Sequence, residues 1–202
     1  MEPAPHPEGV TELLEAMREH HPYTAAHGMR VAAYARRLAA ACGYSGGGEE
    51  EVYSIALLHD IGKLHVPAPI LSKAEPLSPW EMTLLRRHPE EGSRMLRALG
   101  LPRLGALVGA HHERVDGQGY PKGIRGRAIP EAVRIVTVAD VYDAITSERC
   151  YQHAAGWRAA EAEILRVAGT QLDAAIVSVF LALLARERAK KHRAPMAVPA
   201  RR

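Results

Sequence analysis

Apolar residues recur at three- and four-residue intervals along almost the whole chain, and no β-branched stretch alternates convincingly with polar residues. The spacing predicts helices over about 8–20, 25–42, 49–61, 79–87, 89–99, 102–113, 130–147, 157–168 and 173–192. Local signals mark several ends. Ser78-Pro79-Trp80-Glu81 joins a capping hydroxyl to a proline at the first helical position and a glutamate at the third. Asp173 precedes an apolar helix, Pro130-Glu131 opens another, and Gly43, Gly100 and Gly169 follow periodic segments as stops. One stretch breaks the pattern: DGQGYPKGIRGRAIP, residues 116–130, with four glycines and two prolines in fifteen positions. A loop of that length inside a helical domain is more often functional than idle. The longest apolar run, AAIVSVFLALLA (174–185), has twelve residues and is too short to span a bilayer, so no membrane partner is expected.

Composition refines this picture. The 202 residues, 47% of them apolar, suit a single all-α domain over 8–192, with a disordered segment at 1–7 and a disordered basic tail at 193–202. Aromatics are only 5%, with one Phe, so the core must be built mainly from Ala, Leu, Val and Ile. The net charge of +3 is a property of the end of the chain. Residues 186–202 hold seven Lys/Arg against one Glu, which leaves −3 for the remainder and argues against general nucleic-acid binding. Cys42 and Cys150 form neither a disulfide framework nor a CxxC site, which fits reduced thiols in the cytoplasm. The opening MEPAPHPEG lacks the basic and apolar regions of a signal peptide.

The chemistry begins at SIALLHDIGK (54–63), where an apolar run ends directly in His59 and Asp60. A buried carboxylate needs a hydrogen-bond partner, a cation or a metal. Of the eleven histidines, His6, His20, His21, His65, His153 and His192 lie in tails, helix ends or connections and read as structural or exposed. His27, His59, His88, His111 and His112, with Asp60 and Asp140, share another pattern: a metal-capable side chain on or ending an apolar helix. Imidazole and carboxylate are the usual protein ligands for Mn, Fe, Ni or Zn when no thiolate takes part. Five imidazoles and two carboxylates would overfill one site, but would serve two sites bridged by Asp60. Lys63 lies about one helical turn beyond Asp60, where a lysine can also simply cap a helix end.

HDIGK (59–63), HPEEG (88–92), HHERVDGQGYP (111–121), ADVYDAITSERCY (139–151) and GTQLD (169–173) occur in the order and at the intervals of the HD-GYP domain family, and HPYTAAHGMRVA (21–32) fits its first segment. The chain resembles this family over roughly residues 8–185. The resemblance implies an HD-domain helical bundle of about seven to nine helices, with the Gly-rich loop bordering a metal site. It implies a metal-dependent phosphodiesterase that opens cyclic di-GMP to pGpG, and on to GMP in some members, with a water activated between two cations. Fe or Mn would be the usual metal, with Ni, Zn or Mg as others. By position, His27, His59, Asp60 and Asp140 correspond to ligands of one metal, and Asp60, His88, His111 and His112 to ligands of the other. Some members bind a third metal through a Glu four residues before the first His; Tyr23 stands there, so two metals are expected.

The resemblance further assigns catalytic roles to Asp60 and Lys63, and substrate contacts to Lys63, Arg149 and the loop residues Gly119, Tyr120 and Pro121. The same loop implies a diguanylate cyclase domain as a partner, and the first helix could form a homodimer contact. Histidine ligands usually need an acceptor on the second ring nitrogen, and Glu113 or Asp143 could supply it. Cys150, Gln152 and Arg127 depart from the family's usual Pro, basic and acidic residues. The missing charge at Gln152 leaves open another cyclic or linear nucleotide as substrate. A non-catalytic nucleotide-sensing or partner-docking module is the remaining alternative.

Overall fold

The computed structural model describes residues 8–46, 48–147 and 156–193. The segments expected to be disordered, 1–7 and all of the tail but its first residue, lie outside these residues. Ten α-helices follow in order: α1 (Glu8–His20), α2 (Pro22–Cys42), α3 (Gly48–Leu58), α4 (Ala68–Leu71), α5 (Pro79–Leu85), α6 (His88–Ala98), α7 (Pro102–Val108), α8 (Glu131–Thr146), α9 (Trp157–Arg166) and α10 (Ala174–Arg193). Among the described residues the only strand-like pairing is an isolated bridge between Ala168 and Leu172. The all-α reading holds. The expected starts are present: Glu81 N–H donates to Ser78 Oγ at 3.3 Å while Ser78 N–H donates to Glu81 Oε2 at 2.7 Å, a reciprocal cap on α5. Asp173 Oδ1 caps α10 through the N–H of Ala175. Gly43 closes α2 in the left-handed region.

Three differences concern the site. Helix α3 ends at Leu58 rather than near 61, and Ile61–His65 forms a separate 3-10 turn. Helix α7 ends at Val108, so His111 and His112 lie in the turn that follows. Helix α4 is four residues long, too short to leave a periodic signal.

The core lies where α2, α3 and α8 meet. Val31, Ala35 and Leu38 of α2, Val52 and Ile55 of α3, and Ile135, Val136 and Val138 of α8 are fully buried. Their small and β-branched side chains let the helices approach closely. The single Phe, Phe180 on α10, packs edge-on against Tyr34 and Tyr142 at 6.1 and 5.2 Å. On the other side, the Ile61–His65 turn lies against α6. A Cβ on Gly62 would stand 1.9 Å from the His88 carbonyl oxygen and 2.5 Å from the Gly92 nitrogen. Gly62 is therefore needed for close approach, which brings the turn carrying Asp60 against the helix that begins with His88.

Since those atoms are backbone and cannot swing aside, Gly62→Ala is expected to destabilise the fold by about 3 kcal/mol or more. Chemical denaturation measures this. A midpoint equal to that of the parent would mean that the two backbones do not meet.

Candidate metal centre

The seven proposed ligands come from five parts of the chain. His27 lies on α2, His59 and Asp60 follow α3, His88 begins α6, His111 and His112 follow α7, and Asp140 lies on α8. His27, His59, Asp60, His88 and His111 are buried; His112 and Asp140 are partly exposed. The donor atoms form two groups, His27–His59–Asp60 and His88–His111–His112, with the members of each within 4.8 Å of one another.

A single local device aims three of the rings. The last four carbonyls of a helix lack intrahelical partners. His59 Nδ1–H donates to the Ala56 carbonyl, His88 Nδ1–H to Leu85 and His111 Nδ1–H to Val108, each at 2.7 Å. These carbonyls lie at the ends of α3, α5 and α7. Donation from Nδ1 fixes the tautomer and leaves Nε2 of a neutral ring as a bare lone pair. Nε2 of His88 and Nε2 of His111 then face each other at 3.1 Å. Two such lone pairs repel unless a proton or a cation stands with them. Burial, with His112 and His88 nearby, holds the His111 imidazole well below its ordinary pKa. Burial first and His88 second lower His112 to about 3. Protonation is thus disfavoured, and the donor set fits a bound cation.

His27 is held differently. Asp140 and Asp143, three positions apart on α8, address the two nitrogens of its ring. Asp143 Oδ2 accepts from Nδ1 at 2.7 Å, and Asp140 Oδ1 lies 3.0 Å from Nε2. Arg30 Nε donates to Asp143 Oδ1 at 2.8 Å. Burial opposes a charge on His27, but its bonds to Asp140 and Asp143 prevail and raise its pKa to about 9. Asp60 stands between the two groups. Its Oδ2 is 3.3 Å from His59 Nε2, and its Oδ1 is 3.3 Å from His88 Nε2. Lys63 Nζ donates to Oδ2 at 2.6 Å. Burial alone would raise the Asp60 pKa; Lys63, His59 and His88 instead hold it well below the usual carboxylate range.

The Gly-rich loop covers one side. The Tyr120 ring stacks on His112 at 4.7 Å, and Tyr120 N–H donates to the His112 carbonyl at 3.2 Å. Glu113 does not serve a histidine, as sequence reasoning allowed. Its buried carboxylate accepts from the backbone N–H of Lys122 at 2.7 Å and of Ile124 at 3.0 Å, tying the loop to the ligand turn. Gly119 is required by crowding: a Cβ there would lie 2.4 Å from the Arg114 nitrogen.

A cavity of about 790 Å³ opens over the centre and is lined by Asp60, Lys63, Arg86, His112, Tyr120 and Asp140 among others, Gly119 included. A second, of about 540 Å³, reaches His27, Asp60 and Lys63 from the far side and has an apolar wall of Ile70, Leu71, Leu77 and Met82. Pro121 lines neither. It faces a separate groove with Arg94 and Arg97. Arg149, Cys150 and Gln152 lie outside the described residues. The Tyr23 ring lies parallel to His27 with centroids 6.4 Å apart, a neutral phenol where a third carboxylate ligand would be needed. His21, expected to suit the end of α1, instead caps α2: its Nδ1 accepts from the Thr24 N–H at 3.3 Å.

The family described as HD domain matches residues 9–176, and the chain belongs to it; its motifs are those of the HD-GYP branch. The chain is 42% identical over 161 residues to a cyclic di-GMP phosphodiesterase of Pseudomonas aeruginosa, covering 78% of this chain and 38% of that protein. It is 40% identical over 146 residues to a 3'3'-cGAMP-specific phosphodiesterase of Vibrio cholerae, covering 72% of this chain and 32% of the relative. The chain thus spans about a third of the length of these curated relatives. Among solved structures, the HD domain of the L. monocytogenes phosphodiesterase PgpH in complex with cyclic-di-AMP superposes with a TM-score of 0.68 at 16% identity, covering 93% of this chain and 100% of that one. That likeness establishes the fold.

Asp143→Asn keeps the shape of the His27 partner but removes its charge. It is expected to lower metal affinity by roughly 10- to 100-fold, measured by competition with a chromogenic chelator. Unchanged affinity would mean that His27 needs no carboxylate behind it.

Proposed function

We propose that this chain is a metal-dependent phosphodiesterase acting on cyclic dinucleotides, with cyclic di-GMP as its substrate. The observation that carries this reading is the pair of ligand groups joined by Asp60 on the floor of the larger cavity, with Lys63 beside them. We assign two divalent cations, iron or manganese, to those groups: His27, His59, Asp60 and Asp140 around one, and Asp60, His88, His111 and His112 around the other. Bound there, such a pair supplies a hydroxide nucleophile near neutral pH and offsets charge building on a phosphate.

The chain's own residues supply the remainder. The helix-end carbonyls keep His59, His88 and His111 in one tautomer, and Asp143 does the same for His27. Asp60 offers one oxygen to each group. Lys63, bonded to Asp60 on the cavity wall, is assigned the role of offsetting the charge of a substrate phosphate. Tyr120 and Gly119 wall the cavity. Arg149 is assigned a substrate contact on its motif alone. The P. aeruginosa relative's name supports cyclic di-GMP; the V. cholerae relative's name supports a second reading, a mixed cyclic dinucleotide. A messenger made inside the cell would place this chemistry in the cytoplasm.

Protein loaded with Mn(II) or Fe(II), incubated with cyclic di-GMP, other cyclic dinucleotides and bis(p-nitrophenyl) phosphate, is expected to yield pGpG. Asp60→Asn is expected to lower kcat by about 10³-fold or more. Turnover of the mixed dinucleotide alone would favour the second reading. Turnover of the model diester alone, or tight binding without turnover, would contradict both.

A further inference from the structure

We propose that Arg86 binds the phosphate of the cyclic dinucleotide that is not being hydrolysed. This rests on the substrate class assigned above. Arg86 is the C-terminal cap of α5, two residues before His88, and it is exposed on the wall of the larger cavity. Its guanidinium stands 5.6 Å from the centroid of the Tyr120 ring, which in turn stacks on His112. Among the described residues, the other Lys and Arg side chains lining that cavity are already engaged. Lys63 bonds to Asp60, and Arg114 bonds to Asp116 at 2.6 Å. The adjacent Arg87 reaches Glu91. Among the described residues, no carboxylate lies within ion-pair distance of Arg86, so its donors face the cavity free.

A cyclic dinucleotide carries two phosphodiesters, each with one negative charge. Attack occurs at one of them, over the ligand groups. The ring holds the second close to the first, and an anion drawn into a cavity without a counter-charge loses hydration and gains nothing. A guanidinium can meet two phosphate oxygens at once, which an ammonium cannot. The Tyr120 face beneath it restricts the side chain and lowers the entropy lost on binding. A substrate with a single phosphate would have no use for this residue. Arg86 would therefore favour cyclic dinucleotides over simple diesters.

The test compares the metal-loaded parent with Arg86→Ala and Arg86→Lys on cyclic di-GMP and on bis(p-nitrophenyl) phosphate. For Arg86→Ala, KM for cyclic di-GMP is expected to rise ~10-fold with kcat changed less than about threefold, and kcat/KM for the model diester to stay within about twofold. Arg86→Lys is expected to recover part of the loss. Equal losses on both substrates would overturn the proposal in favour of a structural role through Tyr120. No loss on either would make Arg86 a solvated surface residue. If the parent itself does not turn over any cyclic dinucleotide, the functional reading fails and this contact falls with it. An active parent with an unaffected variant overturns the contact alone.

Discussion

The structure depends on a hydrogen bond of one kind made three times. At the ends of α3, α5 and α7, a histidine Nδ1–H closes an orphan carbonyl of the helix it follows. The bond does two jobs. It gives a helix-end carbonyl a donor, and it turns the opposite ring nitrogen inward as a lone pair. Three helix ends thus bring lone pairs to two adjacent donor groups, each of which suits a bound cation. Asp60 adds negative charge to the same place, and only cations nearby let it stay ionised there.

The remaining helices serve that convergence. Helix α2 brings His27, and α8 grips both nitrogens of its ring with Asp140 and Asp143. The close contact at Gly62 sets the Asp60 turn against His88. Glu113 draws the loop over His112, so that Tyr120 closes one wall of the cavity. Packing, hydrogen bonding and charge thus point to one geometry, as expected of a site whose parts come from distant segments.

Much of this was legible in the sequence, for identifiable reasons. Helices α1, α6 and α9 announce themselves by the one-sided spacing of their apolar residues, and the cap at Ser78 by its own residues. The convergence of the seven candidate side chains was legible because metal-capable residues stand on or at the ends of apolar helices. Through-space relations were hidden. Sequence gives no sign that α3 stops at Leu58, because the stop is made by His59 bonding back to Ala56. Glu113 adjoins two histidines in sequence, yet its partners are backbone groups nine and eleven residues on. Asp143 was one of two candidates to hold a histidine, and only the packing of α8 on α2 selects it. Pro121 was expected at the site from the resemblance, but lines a separate groove with Arg94 and Arg97.

The central claim is that these lone pairs and Asp60 hold two cations side by side. Anomalous scattering from crystals grown with Mn(II), recorded on both sides of the metal's absorption edge, tests it most directly. Two peaks flanking the Asp60 carboxylate, roughly 3.5–4 Å apart, are expected. A single peak, or peaks remote from His27, His59, His88, His111 and His112, would contradict it.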